Sequence, residues 1–150
     1  MFLNELNDAQ KRAVLVLASR ITQADGEDSA DEHEALEALC NEMDIPFEFD
    51  QRAVLGDIDV SMFDSHRARV IAALELMRML YADDYVHEAE LAEIKAICRA
   101  FRFPEPWVAT MTEWAKRMTW AEEDPLDNQR AEYQTALMTY ANRIMEDIWR

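Results

Sequence analysis

Apolar positions recur along this chain at spacings of three and four, the period of α-helices that lay one face on a core. Two stretches go further. "KRAVLVLASRI" and "RVIAALELMRML" are apolar nearly all round, the pattern of a helix enclosed by others, so these two are expected to pack side by side at the centre of a bundle. Each is followed by a helix with a single apolar stripe: Leu36, Leu39, Cys40 and Met43, then Leu91, Ile94, Ile97, Cys98 and Phe101. A third, shorter helix is expected to close each group, opened by "FDQRAVL" and by "PEPWVATMTEWAKRM". In the latter, Pro106 suits a first helical turn and Trp107, Met111, Trp114 and Met118 share a core-facing side. Asp124 and Pro125 predict the start of a last helix running to Arg150, with Leu126, Tyr133, Leu137, Tyr140, Ile144 and Ile148 facing inward. Over that span it would measure roughly 40 Å. No strand pattern competes, and the expected class is all-α with about seven helices.

The two groups are copies of one another. Sliding the chain on itself by 58 positions sets Arg20 on Arg78, Ala24 on Ala82, Asp25 on Asp83, Glu32 on Glu90, Cys40 on Cys98 and Pro46 on Pro104. Apolar coincidences between amphipathic helices are cheap, but identical polar residues, cysteines and prolines at one offset are not, and they indicate an internal duplication. The repeats span about residues 6–56 and 64–118, and with the C-terminal helix, about 125–150, they form a single domain over 1–150.

The candidate chemistry lies in the paired loops "ITQADGEDSADE" and "LYADDYVHEAE". Ser29 and Glu32 spell a capping box, in which hydroxyl and carboxylate each satisfy an orphan amide of a helix start. Glu90 persists in the second copy although His87 replaces the capping serine. That persistence asks for a further reason, beside the favourable dipole of a helix N-terminus. Asp25 and Asp83 fall where a helix ends in partial negative charge and so need compensation, either from an Asx-turn or from a cation. Gly26 and Asp84, next in line, both tolerate the left-handed backbone of a tight turn. Packing the central helices together would draw Asp25, Glu32, Asp83 and Glu90 towards one point, where four carboxylates repel unless a metal joins them. Such an all-oxygen set suits Ca²⁺ or Mg²⁺ over Zn²⁺, for which no Cys and His set is present. The loop is not an EF-hand, since counting from Asp25 puts Gly26 second and Leu36 twelfth.

The remaining reactive side chains have structural readings. Cys40 and Cys98 sit on the core stripes with no C-x-x-C, which suits buried thiols in a reducing compartment. His33 with Asp28 reads as a polar replacement for the hydrophobic staple that Val86 and Leu91 make in the other copy. His87 reads as a cap and His66 as a residue of a helix start, while Glu75, standing where Leu17 stands, reads as a buried ion pair with Arg78. No nucleophile elbow, phosphate loop, H-E-x-x-H or Glu-x-x-His pair occurs, and the chain is not expected to be an enzyme.

Composition narrows the partners. With 31 acidic against 15 basic side chains the net charge is −16, which repels phosphate backbones and anionic lipid and favours cations and basic protein surfaces. The opening "MFLNELNDAQ" has neither the basic flank nor the apolar run of a signal peptide, and no stretch approaches a membrane span. A cytoplasmic protein is expected; the sequence leaves its oligomeric state open.

"ADGEDSADE" and its partner "ADDYVHEAE", each preceded by an apolar helix, resemble the tellurite-resistance TerB family and the related TerB-like domain of some DnaJ-like co-chaperones. The resemblance covers about Leu6 to Met118. It implies a seven-helix, internally duplicated domain whose clustered acids, here Asp25, Glu32, Asp83 and Glu90, have been proposed to bind divalent metal. It also implies a link to tellurite and other stress and action within protein complexes, without an established enzymatic activity. Asp28 stands where the motif has an apolar residue and Asp84 where it has Gly; no H-P-D of a J domain is present. Two readings follow: a cation-binding interaction module, or a metal-independent acidic adaptor that docks a basic or helical partner.

Overall fold

The computed structural model describes residues 1–26, 29–82 and 85–146. Among them are seven α-helices and no strand, with a short 3₁₀ turn at Leu3–Glu5. The helices are α1 (Asp8–Gln23), α2 (Ala30–Met43), α3 (Gln51–Leu55), α4 (His66–Tyr81), α5 (Glu88–Ala100), α6 (Glu105–Glu122) and α7 (Asn128–Met145). No helix is long and apolar enough to cross a membrane.

The 58-residue offset survives in the backbone. Asp8 and His66 open α1 and α4, Gln23 and Tyr81 close them, and Ala30 and Glu88 open α2 and α5. Side chains that compete with the helix elsewhere fix these starts by accepting its orphan amides. Asn7 takes the amide of Gln10 at 2.9 Å while the Gln10 side chain takes that of Asn7 at 3.0 Å, and Ser65 takes the amide of Ala68 at 3.1 Å.

The ends of α2 and α5 match bond for bond. The Ile45 amide donates to the carbonyl of Cys40 and the Phe103 amide to that of Cys98, both at 3.1 Å, while Asp44 donates to Asn41 and Arg102 to Arg99. This is a Schellman motif in each copy, followed by Pro46 or Pro104, which cannot continue a helix. Its left-handed residue is usually glycine; here it is Asp44 at φ 55° and Arg102 at φ 64°.

α1 and α4 pack against each other as the apolar pattern predicts, and α4 also meets α5, α6, α7 and the 3₁₀ turn. Every residue from Val70 to Met77 is buried. Fully burying a side chain such as Leu74, Ile71 or Met77 is worth about 1.5–3 kcal/mol. On α6, Met111, Trp114 and Met118 are buried and Trp107 packs against the core from its edge. The Trp114 indole donates to the carbonyl of Leu137 at 2.8 Å and ties α6 to α7.

Two expectations are corrected. The third helix of the second copy is not short: α6 has 18 residues, because its buried face continues through Ala121. The last helix starts at Asn128 instead of near Pro125, because Asp127 accepts from the amides of Gln129 and Arg130 while Asp124 caps a turn onto Leu126. Leu126 is therefore outside the helix and 90% exposed. Tyr140 also points outward, whereas Leu137 and Ile144 are buried and Tyr133 packs against the core. Ile148 lies outside the described residues.

An L-residue held in the left-handed region costs about 1–2 kcal/mol, less for Asp than for a long side chain. Arg102→Gly should therefore raise stability by roughly 1 kcal/mol, read from the urea midpoint, and Asp44→Gly by less. A loss on Arg102→Gly would contradict the motif.

Candidate functional site

The two loops begin where the central helices end. At the end of α1 the Gly26 amide donates to the carbonyl of Gln23 at 3.0 Å, with Gly26 at φ 75°. This is the left-handed turn expected there. Asp83 and Asp84, at the matching place after α4, and Asp28 in the first loop lie outside the described residues.

The loops end at the starts of α2 and α5. Ser29 Oγ accepts from the Glu32 amide at 3.1 Å. In the second loop His87 Nδ1 accepts from the Ala89 amide at 3.1 Å, and Glu90 Oε1 accepts from the His87 amide at 3.2 Å. His87 is thus the cap that the sequence suggests: its imidazole nitrogen supplies the acceptor that serine supplies in the first copy, and Glu90 completes the box, which accounts for its persistence.

Glu32 and Glu90 meet at one cavity of about 260 Å³, with Asp31 beside them. Its remaining wall comes from Ala35 of α2 and from the C-terminal ends of the two central helices, at Thr22 of α1 and at Met79, Leu80 and the capping Ala82 of α4. The negative poles of α1 and α4 and the positive poles of α2 and α5 therefore converge on it. Asp25 is half-buried and is not among the residues lining the cavity. Of the four acids singled out in the sequence, Glu32 and Glu90 line one cavity, Asp25 is half-buried just after α1, and Asp83 is not described. Among the described residues no group of three or more His, Cys, Asp or Glu is arranged to hold a metal ion. Asp31 was not legible as a site residue because its counterpart at the offset is Ala89.

The histidines and cysteines are otherwise engaged. His33 stacks on Phe47 at 4.9 Å and stands 3.4 Å from Glu37, and His66 Nε2 donates to the carbonyl of Ile144 at 3.0 Å. Val86 and Leu91, the pair expected to form a hydrophobic staple, are both partly buried against the core. Cys40 and Cys98 are buried, as their stripes predict. Burial pushes the Cys98 thiol up to about 12 and, with Glu37, raises that of Cys40. Neither is a thiolate at neutral pH, so neither is poised for nucleophilic or redox work.

Glu75 is 3% exposed on the enclosed helix α4, with Arg78 3.5 Å away, the buried ion pair expected from the sequence. Burial raises its carboxyl above the ordinary range, and the Met1 nitrogen, Arg78 and the Phe2 amide offset only part of that. The Arg78 guanidinium grips Glu122 of α6 through two bonds of 2.7 Å. Its counterpart Arg20 grips Glu93 of α5 at 2.7 Å and donates to the carbonyls of Val54 and Gly56 at the end of α3.

Comparison with protein-family models, with curated proteins and with solved structures finds no match to the chain.

A carboxyl whose folded pKa exceeds its unfolded pKa favours the fold when protonated; the contribution is complete in acid and is lost as pH rises through the folded value. Glu75→Gln is neutral at every pH. Its stability relative to the parent should therefore increase from acid to neutral pH in urea titrations. A difference that is flat with pH would contradict the raised value.

Proposed function

We propose that this chain is a TerB-like helical domain that takes a divalent cation, Ca²⁺ or Mg²⁺, between its two duplicated loops and works as an interaction module for protein partners. The observation that carries the reading is the meeting of Glu32 and Glu90 at one cavity from symmetry-related loops. Carboxylates are hard oxygen donors of the kind these ions take, although Glu32, Glu90 and Asp31 as they stand do not form a ready ligand group and fall short of the six to eight ligands Ca²⁺ takes. Backbone carbonyls, water or further carboxylates must complete the shell. When bound, the ion would neutralise the converging acids and join the two copies. The resemblance of the loop motifs extends the reading to tellurite or other stress resistance. The strong negative charge supports basic protein surfaces as partners and gives no footing to nucleic acid.

One observation favours the second reading, a metal-independent acidic adaptor. Glu90 already has structural work in the box it forms with His87, and a carboxylate fully explained by capping needs no ion.

Glu90→Gln separates the two, since glutamine keeps the capping geometry and removes the charge. After chelation, an added ion at about 100 times its dissociation constant should stabilise the parent by roughly 2.7 kcal/mol in thermal unfolding. Glu90→Gln and Glu32→Gln should each lose most of that gain while remaining nearly as stable as the ion-free parent. No gain with Ca²⁺, Mg²⁺ or Mn²⁺, or an undiminished gain in both variants, would leave the adaptor reading.

A further inference from the structure

The cations of α5 run against the acidic character of the chain. Lys95 and Arg99 stand one turn apart on its exposed side, and among the described residues neither forms an ion pair. They border a cavity of about 550 Å³ between α5 and α6, two helices that both pack on α4. That volume is within the range of roughly 300–1,000 Å³ typical of ligand sites. Its apolar lining comes from Cys98 and Phe103, both buried, and from Val108 and Ala109 of α6. Glu105 is the acid in the lining, against two cations, whereas the whole chain has 31 acids and 15 bases.

The first copy treats the corresponding place differently. At the 58-residue offset Lys95 matches Glu37, Arg99 matches Asn41 and Glu105 matches Phe47. The irregular stretch after Pro46 lays the Phe47 ring on His33 of α2, with 4.9 Å between centroids, and Phe49 follows 6.0 Å from Phe47. Both phenylalanines pack against the core. In the second copy the same positions are wound into the first turn of α6, and Glu105 brings no ring. A cavity lies beside Lys95 instead, and a cation stands where the first copy has Glu37.

These differences define an occupant. An aromatic side chain suits the apolar lining, as Phe47 suits α2. A carboxylate beside that ring suits the Lys95 ammonium and the Arg99 guanidinium. The positive pole of α6 adds to them, since Pro104 at its start supplies no side-chain acceptor. A basic segment would meet two like charges, and a wholly apolar one would leave both cations unanswered.

We propose that the groove between α5 and α6 docks an extended segment of a partner protein in which aromatic and acidic residues alternate, with a ring against Phe103 and Val108 and carboxylates on Lys95 and Arg99. The groove shares no lining residue with the inter-loop cavity, and docking there needs no ion.

The test is calorimetric titration of the peptide acetyl-Phe-Glu-Phe-Asp-amide into the full chain with chelator present. Saturable one-to-one binding is expected, and a net charge of −16 offers an acidic peptide no nonspecific attraction. The double change Lys95→Gln with Arg99→Gln should weaken it about fivefold or more, since an exposed ion pair is worth up to about that factor. Ala109→Trp, which fills the cavity and leaves every charge in place, should weaken it about tenfold or more by displacing the ring. Arg143→Gln, an exposed cation on α7, should change nothing. No saturable binding, affinity unchanged in either groove variant, or equal weakening by Arg143→Gln would overturn the proposal. So would two other results: 3-phenylpropionate binding as tightly as the peptide, which assigns a small acid, or chain dimers in sedimentation that the groove variants dissolve, which assign a second copy.

Discussion

The structure depends on the enclosure of one helix. α4 is covered by α1, α5, α6, α7 and the N-terminal 3₁₀ turn, so from Val70 to Met77 it has no face for water. Such a position demands a continuous apolar segment, with Ala72 and Ala73 letting neighbours approach closely, and it makes a charge at Glu75 expensive. It also fixes the loops. The C-terminal ends of α1 and α4, at Thr22 and at Met79 and Leu80, border one cavity, and the starts of α2 and α5 border it with them. The meeting of Glu32 and Glu90 is thus a consequence of core packing.

Much of this could be read from the order of residues. The all-round apolar stretches marked the two central helices, and the single stripes on α2 and α5 placed both cysteines in the core. The offset between copies identified Glu32 and Glu90 as equivalent before their proximity was known. What escaped reading has specific causes. Asp44 and Arg102 were invisible as left-handed helix ends because neither is the usual glycine or asparagine. Histidine is not among the usual capping residues, so the part His87 plays at the start of α5 was visible only as a bland possibility. The start of α7 was set by competition between two aspartates four residues or fewer from Pro125, which sequence pattern cannot arbitrate. Periodicity extended one turn too far then pulled Leu126 into the core pattern.

Duplication explains the frame and divergence explains the sites. Both copies keep the arginine near the end of the first helix, the capped start of the second and the Schellman end before proline. The fillings have separated: Arg20 pairs with Glu93 of α5, whereas the matching place on α2 holds Ala35, which carries no acid and lines a cavity together with Arg78. The inter-loop cavity shares Ala35, Met79 and Ala82 with the cavity beside Arg78, so α2 and the end of α4 border both.

The central functional claim is that symmetry-related loops share one ion, and the most direct measurement is paramagnetic broadening of amide resonances by substoichiometric Mn²⁺ after chelation. The account predicts that the signals of Ser29 to Ala35 and of Tyr85 to Leu91 fade together at the same Mn²⁺ concentration, ahead of the rest of the chain. Fading confined to one loop, or spread over the surface in proportion to exposed carboxylates, would contradict it.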